Sequence, residues 1–246
     1  MTEPDNFKHK IRSFLIFITY YSAWPFSLVR FCRYLKIPLL RVIAFHEIKD
    51  EERLNFEKKL DFLKRNFNVI SPDDFLARNF SRDRINLLLT FDDAFTSWAK
   101  NVLPALKSKN LSAVFFVDDR GLALAPVLHK AGQTIGGHTV GHKRLTKITP
   151  GELESEIAEN KKGLERAIGR RIVLFAYPFG DRQSFSQAVV DEVRKAGYEA
   201  AFTILPGFNR PKSDNYLLHR DSVNPDWSEK FLWMWLSGAY DLWKKL

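Results

Sequence analysis

Apolar and polar positions along the chain follow two alternating periods. Short β-branched and aromatic runs at 42–45 (VIAF), 85–91 (INLLLTF), 113–117 (AVFFV), 172–177 (IVLFAY) and 199–204 (EAAFTI) are nearly unbroken. Such runs predict strands buried on both faces. The stretches between them carry apolar residues at helical spacing. Leu54, Phe56, Leu60, Leu63 and Phe67 mark one such face, and further helices are expected over 97–109, 124–131, 150–168 and 185–196. Pro150 behind Thr149 suits a first helical turn, and Gly197 after Ala196 suits a stop. Alternation of strand and helix predicts an α/β fold with a parallel sheet, open or closed into a barrel. No internal repeat or linker divides it, so a single catalytic domain is expected over 41–225.

The two ends depart from this pattern. Residues 1–40 hold an uncharged aromatic run, Ser13–Val29, with basic residues on both sides. As a helix its 17 residues would rise ~25 Å, short of a ~30 Å hydrocarbon core, and Pro25 interrupts it. It lacks a small-residue cleavage site. The segment reads either as an element lying in a membrane interface or as a helix buried on the domain. Residues 226–246 predict a Trp-rich amphipathic helix capped by Asp226 or Ser228, with Phe231, Leu232, Trp235, Leu236 and Ala239 on its stripe. Trp227, Trp233 and Trp243 add aromatic area, and Lys244 and Lys245 follow. Amphipathic Trp beside Lys favours a headgroup-level surface, so peripheral membrane contact and a membrane-associated location are expected.

Composition narrows the chemistry. Over 246 residues, 45% hydrophobic and 27% charged, the chain is neither disordered nor a coiled coil. Its net charge of +9 is concentrated at the N-terminus, where seven basic residues face two acidic ones up to Arg41. The body is nearly neutral, which argues against nucleic acid as a partner. A single cysteine, Cys32, excludes an internal disulfide framework and a Cys-rich zinc module. Histidines, carboxylates and hydroxyls must carry the chemistry.

Three strand ends supply them. Thr90-Phe91-Asp92-Asp93 closes an apolar strand with two adjacent carboxylates, which are costly there without a cation or a proton. Catalytic groups of parallel α/β folds collect at that end of the strands. His138-Thr139-Val140-Gly141-His142 follows an expected strand at Thr134–Gly137 and sets two imidazoles four residues apart, a spacing that suits two metal ligands. Phe175-Ala176-Tyr177-Pro178-Phe179-Gly180 ends another strand in a turn whose N–H groups could face an oxyanion.

In this order, with VLPALKSKNLSAVFFV between the first two and GELESEIAENKKGLERAIGRRIVLFAYPFG after the second, these motifs resemble the polysaccharide deacetylase family, carbohydrate esterase family four. The resemblance spans about Arg41–Val223 and implies a distorted (β/α) barrel that removes N-acetyl groups from a saccharide containing N-acetylhexosamine. It implies that Asp93, His138 and His142 hold a divalent metal, Zn²⁺ above others, and that Asp92 is the general base. The backbone N–H of Phe179, where the family usually has Tyr, would face the oxyanion. Ala94 replaces a usual Gly, a minor change if its φ is negative. Ala176 replaces a usual Arg that orients the base, which leaves Arg220 as the candidate. Phe45-His46, FAYP and Leu218-His219-Arg220 are similar to the poly-N-acetylglucosamine deacetylase branch, and favour His46 over His219 as the acid that protonates the leaving amine. The readings kept beside this one are a deacylase of a lipid-linked sugar and a carbohydrate-binding pseudoenzyme.

Overall fold

The computed structural model describes residues 34–238 and Asp241. The Ser13–Val29 run, Ala239, Trp243, Lys244 and Lys245 lie outside the described residues. In chain order the elements are β1 (Leu40–Phe45), α1 (Arg53–Asn66), β2 (Asn68–Ile70), α2 (Pro72–Leu76), β3 (Asn86–Asp92), α3 (Leu103–Ser108), β4 (Val114–Val117), α4 (Ala125–Lys130), β5 (Thr134–Gly137), α5 (Pro150–Ile168), β6 (Leu174–Ala176), α6 (Gln187–Lys195), β7 (Ala200–Phe202), β8 (Asp221–Ser222) and α7 (Glu229–Leu236).

Local chemistry sets several of these bounds. Thr149 and Glu152 form a reciprocal capping box at the start of α5, and Gly169, at φ 67°, ends it. The helix expected over 97–109 begins as a π turn at Trp98–Val102 before α3. Pro104 has no N–H to continue the ordinary ladder, and the preceding turn is widened. Ser228, rather than Asp226, caps α7 by accepting from the Phe231 N–H.

Among the described residues the named strands pair in parallel, in the order β7-β6-β5-β4-β3-β1-β8, and Leu40 of β1 makes a single antiparallel bridge to Asn209. The first half of β3 pairs with β2 and the second half with β4, while β1 runs along its other edge. Leu218 bridges Phe202 of β7, and Asp221 three residues later pairs with Ile43 of β1. One short segment thus closes the ring, and the distorted barrel expected from the sequence is the observed architecture.

Side chains alternate between two cores. Val42, Leu88, Phe116, Leu174, Phe202 and Leu218 fill the barrel interior. Ile43, Phe45, Leu87, Leu89, Phe91 and Phe115 face the surrounding helices. The rings of Phe45, Phe91 and Phe115 stack in a row at 5.4 and 4.8 Å across three neighbouring strands. Each fully buried Phe contributes about 1.5–3 kcal/mol.

Arg41 corrects one reading of the charge pattern. It points outward from β1 and is fully buried beneath α7. Its guanidinium donates to the Leu236 and Trp235 carbonyls and pairs with Asp221 at 3.0 Å and Asp241 at 2.6 Å. Trp235 Nε1 donates to the same Asp221 at 2.7 Å. Arg41 therefore caps the C-terminal end of α7 and is not part of a basic surface. Leu232 and Leu236 are buried, and Trp233 packs on Phe67 of α1. No helix among the described residues is long and apolar enough to cross a membrane.

Candidate metal centre and active site

Alternation along β3 turns Thr90 and Asp92 into the barrel and leaves Asp93 in the turn beyond the strand. Asp93 Oδ1 lies 3.3 Å from Nε2 of His138 and 3.1 Å from Nε2 of His142. All three ligand atoms fall within 4.8 Å of one another. His138 Nδ1 donates to the Ala176 carbonyl at 2.8 Å, which orients the ring and turns Nε2 toward Asp93. Two imidazoles and a carboxylate converging in a partly buried pocket form a donor set that fits Zn²⁺ or a similar divalent cation.

The backbone that presents these groups is strained. Asp93 (φ 81°), Ala94 (φ 56°), Thr139 (φ 69°), His142 (φ 52°) and Phe179 (φ 61°) all occupy the left-handed region. The His138–His142 segment is consequently a loop and not a helical turn. Ala94 also departs from the expectation, because its φ is positive where a Gly would be at ease. Non-Gly residues held this way cluster at functional sites. Gly121 is required nearby, since a Cβ there would lie 2.2 Å from that of Ala94.

Helix α5 secures the loop. Glu156 accepts from the Gly141 N–H through its carboxylate at 2.7 Å and from the Val140 N–H through its carbonyl at 3.1 Å. One turn on, Asn160 accepts from the His138 N–H at 3.0 Å and donates to Val117 and Asp119 at the end of β4. Both residues are buried. Neither was singled out from the sequence, although Asn160 shares the stripe of Leu153, Ile157 and Leu164. Arg144 ties the same loop to the Phe179 turn. It pairs with both oxygens of Asp181 at 2.6 and 3.0 Å and lies over the Phe179 ring. The hydrogen bond from Arg144 holds the Asp181 carboxyl down at about 2.

Asp92 is buried behind the triad and gripped by Arg220, whose two terminal nitrogens each donate to one carboxylate oxygen at 2.7 Å. Arg220 also donates to Thr90 Oγ1 and to the Thr203 carbonyl. Burial alone would raise the Asp92 carboxyl, but the Arg220 guanidinium and the neighbouring His138 and His46 hold it below the ordinary range. Asp93 is likewise held well below that range; burial opposes its charge, and its contacts with His138 and His142 overcome the penalty. The same contact raises His142.

His46 sits exposed just past β1, near enough for its charge to act on both Asp92 and Asp93. His219 faces away from the barrel axis: its Nδ1 contacts the Leu205 carbonyl at 3.0 Å, and its backbone pairs with Asn209. The Phe179 side chain is half exposed beside His142, with ring centroids 4.8 Å apart.

The chain is similar to known proteins in sequence and in fold. The family model described as polysaccharide deacetylase matches residues 81–201. YxkH of Bacillus subtilis (strain 168) is 25% identical over 206 residues, 77% of this chain and 73% of that protein. The fold is similar to the Streptococcus pyogenes deacetylase PplD in complex with acetate, with a TM-score of 0.70 and 19% identity over 81% of this chain and 99% of that one. It is also similar to IcaB from Ammonifex degensii, with a TM-score of 0.67 and 24% identity over 80% and 97% of the two chains. The matched span carries the Asp pair, both histidines and the Phe179 turn in the order in which the barrel assembles them, and over that span the chain matches the polysaccharide deacetylase family.

Proposed function

We propose that the protein is a metal-dependent N-deacetylase acting on a polysaccharide or oligosaccharide that contains N-acetylhexosamine, of the kind handled by the poly-N-acetylglucosamine branch. The observation that carries this reading is the convergence of two imidazole Nε2 atoms and one carboxylate oxygen beside a second carboxylate held by Arg220. Asp93, His138 and His142 would hold the cation, with Zn²⁺ the expected occupant. When bound, the cation supplies Lewis-acid polarisation of an acyl oxygen and acidification of water.

The other roles fall to the chain itself. Asp92 takes a proton from the attacking water, and Arg220 positions it by occupying both carboxylate oxygens from behind. The Phe179 N–H, which has no hydrogen-bond acceptor among the described residues, faces the oxygen on which charge develops. His46 gives a proton to the amine as the C–N bond breaks, so acetate and a free amino sugar leave. His219 is excluded from that task in this reading because its ring is engaged in the 205–209 loop.

Two measurements test the proposal. Chelation should abolish acetate release from N-acetylated saccharides, and Zn²⁺ or Co²⁺ should restore it; full turnover by metal-free protein would overturn the reading. An amine must be protonated to depart, whereas an activated phenolate need not be. His46→Ala should therefore lose amide hydrolysis by about 10²–10⁴-fold while largely sparing an activated acetyl ester. Equal losses on both substrates would remove His46 from the role.

A further inference from the structure

All strands start at one pole of the barrel, opposite the metal centre, and that pole has features the proposed chemistry does not use. Tyr34 is 83% exposed, Leu35 47% and Leu76 39%, and all three lie there. Between the starts of β1 and β7 a cavity of about 210 Å³ opens into the barrel, with Leu40, Phe75, Phe80 and Leu218 among its apolar lining. Arg78 and Arg210 also line it, and both are exposed. The loops leading into the strands at this pole are basic. Arg82, Arg170, Arg210 and Lys212 are exposed and have no carboxylate partner among the described residues. The opposite mouth carries both signs: Glu47, Asp50, Glu51 and Glu52 with Lys49 beside His46, and exposed Lys143, Lys147 and Arg182 on the neighbouring loops.

The sequence outside the described residues joins at the same pole. Residues 1–33, with their aromatic run between basic flanks, lead through Tyr34–Leu39 into β1. Helix α7 returns along the outside of the barrel and delivers its last carbonyls to Arg41, the second residue of β1. The Leu-Trp-Lys-Lys-Leu sequence at 242–246 therefore follows from this pole as well.

We propose that this pole docks on an anionic lipid bilayer and holds the catalytic mouth away from the membrane. Exposed apolar side chains ringed by unpaired Lys and Arg match the chemistry of an anionic headgroup layer. The six residues of β1 span ~20 Å along the strand, or ~15 Å along a barrel axis to which strands tilt by about 40°, so the mouth stands about that far from the lipid. A saccharide attached directly to a lipid headgroup would not reach it, whereas a polymer strand extending from the surface would. This orientation favours a long-chain substrate over the lipid-linked-sugar reading. It does not depend on the deacetylase chemistry.

The test uses the full chain in a Cys32→Ser background with one reporter cysteine, Lys212→Cys at the pole or Lys147→Cys at the mouth, each carrying a polarity-sensitive fluorophore. With vesicles of phosphatidylcholine and phosphatidylglycerol the protein should co-sediment, less so as salt rises, and much less with phosphatidylcholine alone. Emission should shift to the blue at position 212 and stay constant at 147. Arg82→Glu with Arg170→Glu should weaken binding by at least about tenfold. Acetate release from a soluble substrate should be unchanged in that variant, which separates failure of docking from failure of the catalytic reading. The proposal is overturned if the protein stays in the supernatant at low salt, if position 147 shifts as much as 212, or if the charge-reversed protein binds like the parent.

Discussion

The barrel contains two buried arginine–aspartate pairs, one on each face of its wall. Arg220 holds Asp92 inside, and Arg41 holds Asp221 outside. All four residues are at least 96% buried, and in each pair the guanidinium is also spent on backbone carbonyls. Burial and ion pairing therefore do not separate a functional pair from a structural one. The difference lies in what else meets the carboxylate. Asp221 receives Trp235 and Arg41 and serves to dock α7. Asp92 is gripped by Arg220 from the barrel side and adjoins the Asp93–His138–His142 triad. One pair holds a helix end in place; in the proposed mechanism the other holds a carboxylate ionised where a proton must be removed.

The largest expected effect follows from neutralising the inner carboxylate. Asp92→Asn should lower acetate release per metal-loaded molecule by about 10²–10⁴-fold, because the proton acceptor is lost while the three ligands remain. Stability should fall too, since Arg220 keeps its charge without a counter-charge. Metal content measured beside turnover decides the matter. A variant that lost its metal in parallel with its activity would make Asp92 a ligand and collapse the distinction between the two adjacent carboxylates.

The outer pair should give the opposite signature. Arg41→Met removes the buried guanidinium that faces Asp221 and uncaps α7, which should cost about 3–5 kcal/mol in denaturant unfolding. Turnover per folded molecule should remain close to the parent, because the mouth lies at the far end of the strands. Loss of turnover without loss of stability would show that the two pairs are coupled through β8, which carries Asp221 one residue after Arg220.

How far these roles were legible in the sequence depends on how local they are. The Asp pair and the His pair are contiguous, so strand-end placement and spacing point to them directly. Arg220 was reached because Ala176 left the orienting role vacant in the family resemblance. Arg41 looked like one more basic residue near a basic N-terminus, because its partners are separated from it by as many as 200 positions. β2 and β8 were missed because three- and two-residue strands carry no readable period. Glu156 and Asn160 were missed for another reason. A polar residue on a helix stripe says that it is buried, but only the fold shows that the metal loop is what it meets.

Those two helix residues define a third, smaller effect. Asn160→Ala removes the acceptor for the His138 N–H and leaves the Val117 carbonyl and Asp119 without their donor. Supporting residues of this kind typically change metal affinity by about 10–100-fold, and the lower end is expected because Glu156 and Ala176 still hold the loop. Competition with a chelator measures it. Unchanged affinity would place Asn160 with the Arg41 pair, as packing alone.

The smallest effect concerns the strained turn after Asp93. Ala94→Gly should relieve about 1–2 kcal/mol of left-handed backbone cost. Against this stand the greater freedom of Gly in the unfolded chain, about 0.4–1 kcal/mol, and loss of the buried methyl, about 0.8 kcal/mol. These terms nearly cancel, so unfolding free energy should stay within about 1 kcal/mol of the parent. Gly121→Ala alone should be clearly destabilising, since its Cβ would fall 2.2 Å from that of Ala94 and 2.8 Å from a Val117 methyl. In the double variant the closer clash is gone and only Val117 must give way. The pair should therefore cost less than the sum of the singles, with a coupling of about 0.5–3 kcal/mol. Additive losses would mean that the turn moves to accommodate Gly121→Ala. The left-handed setting of Ala94 would then not be fixed by its contact with Gly121, and the position of Asp93 would have to be enforced from the His138–His142 side.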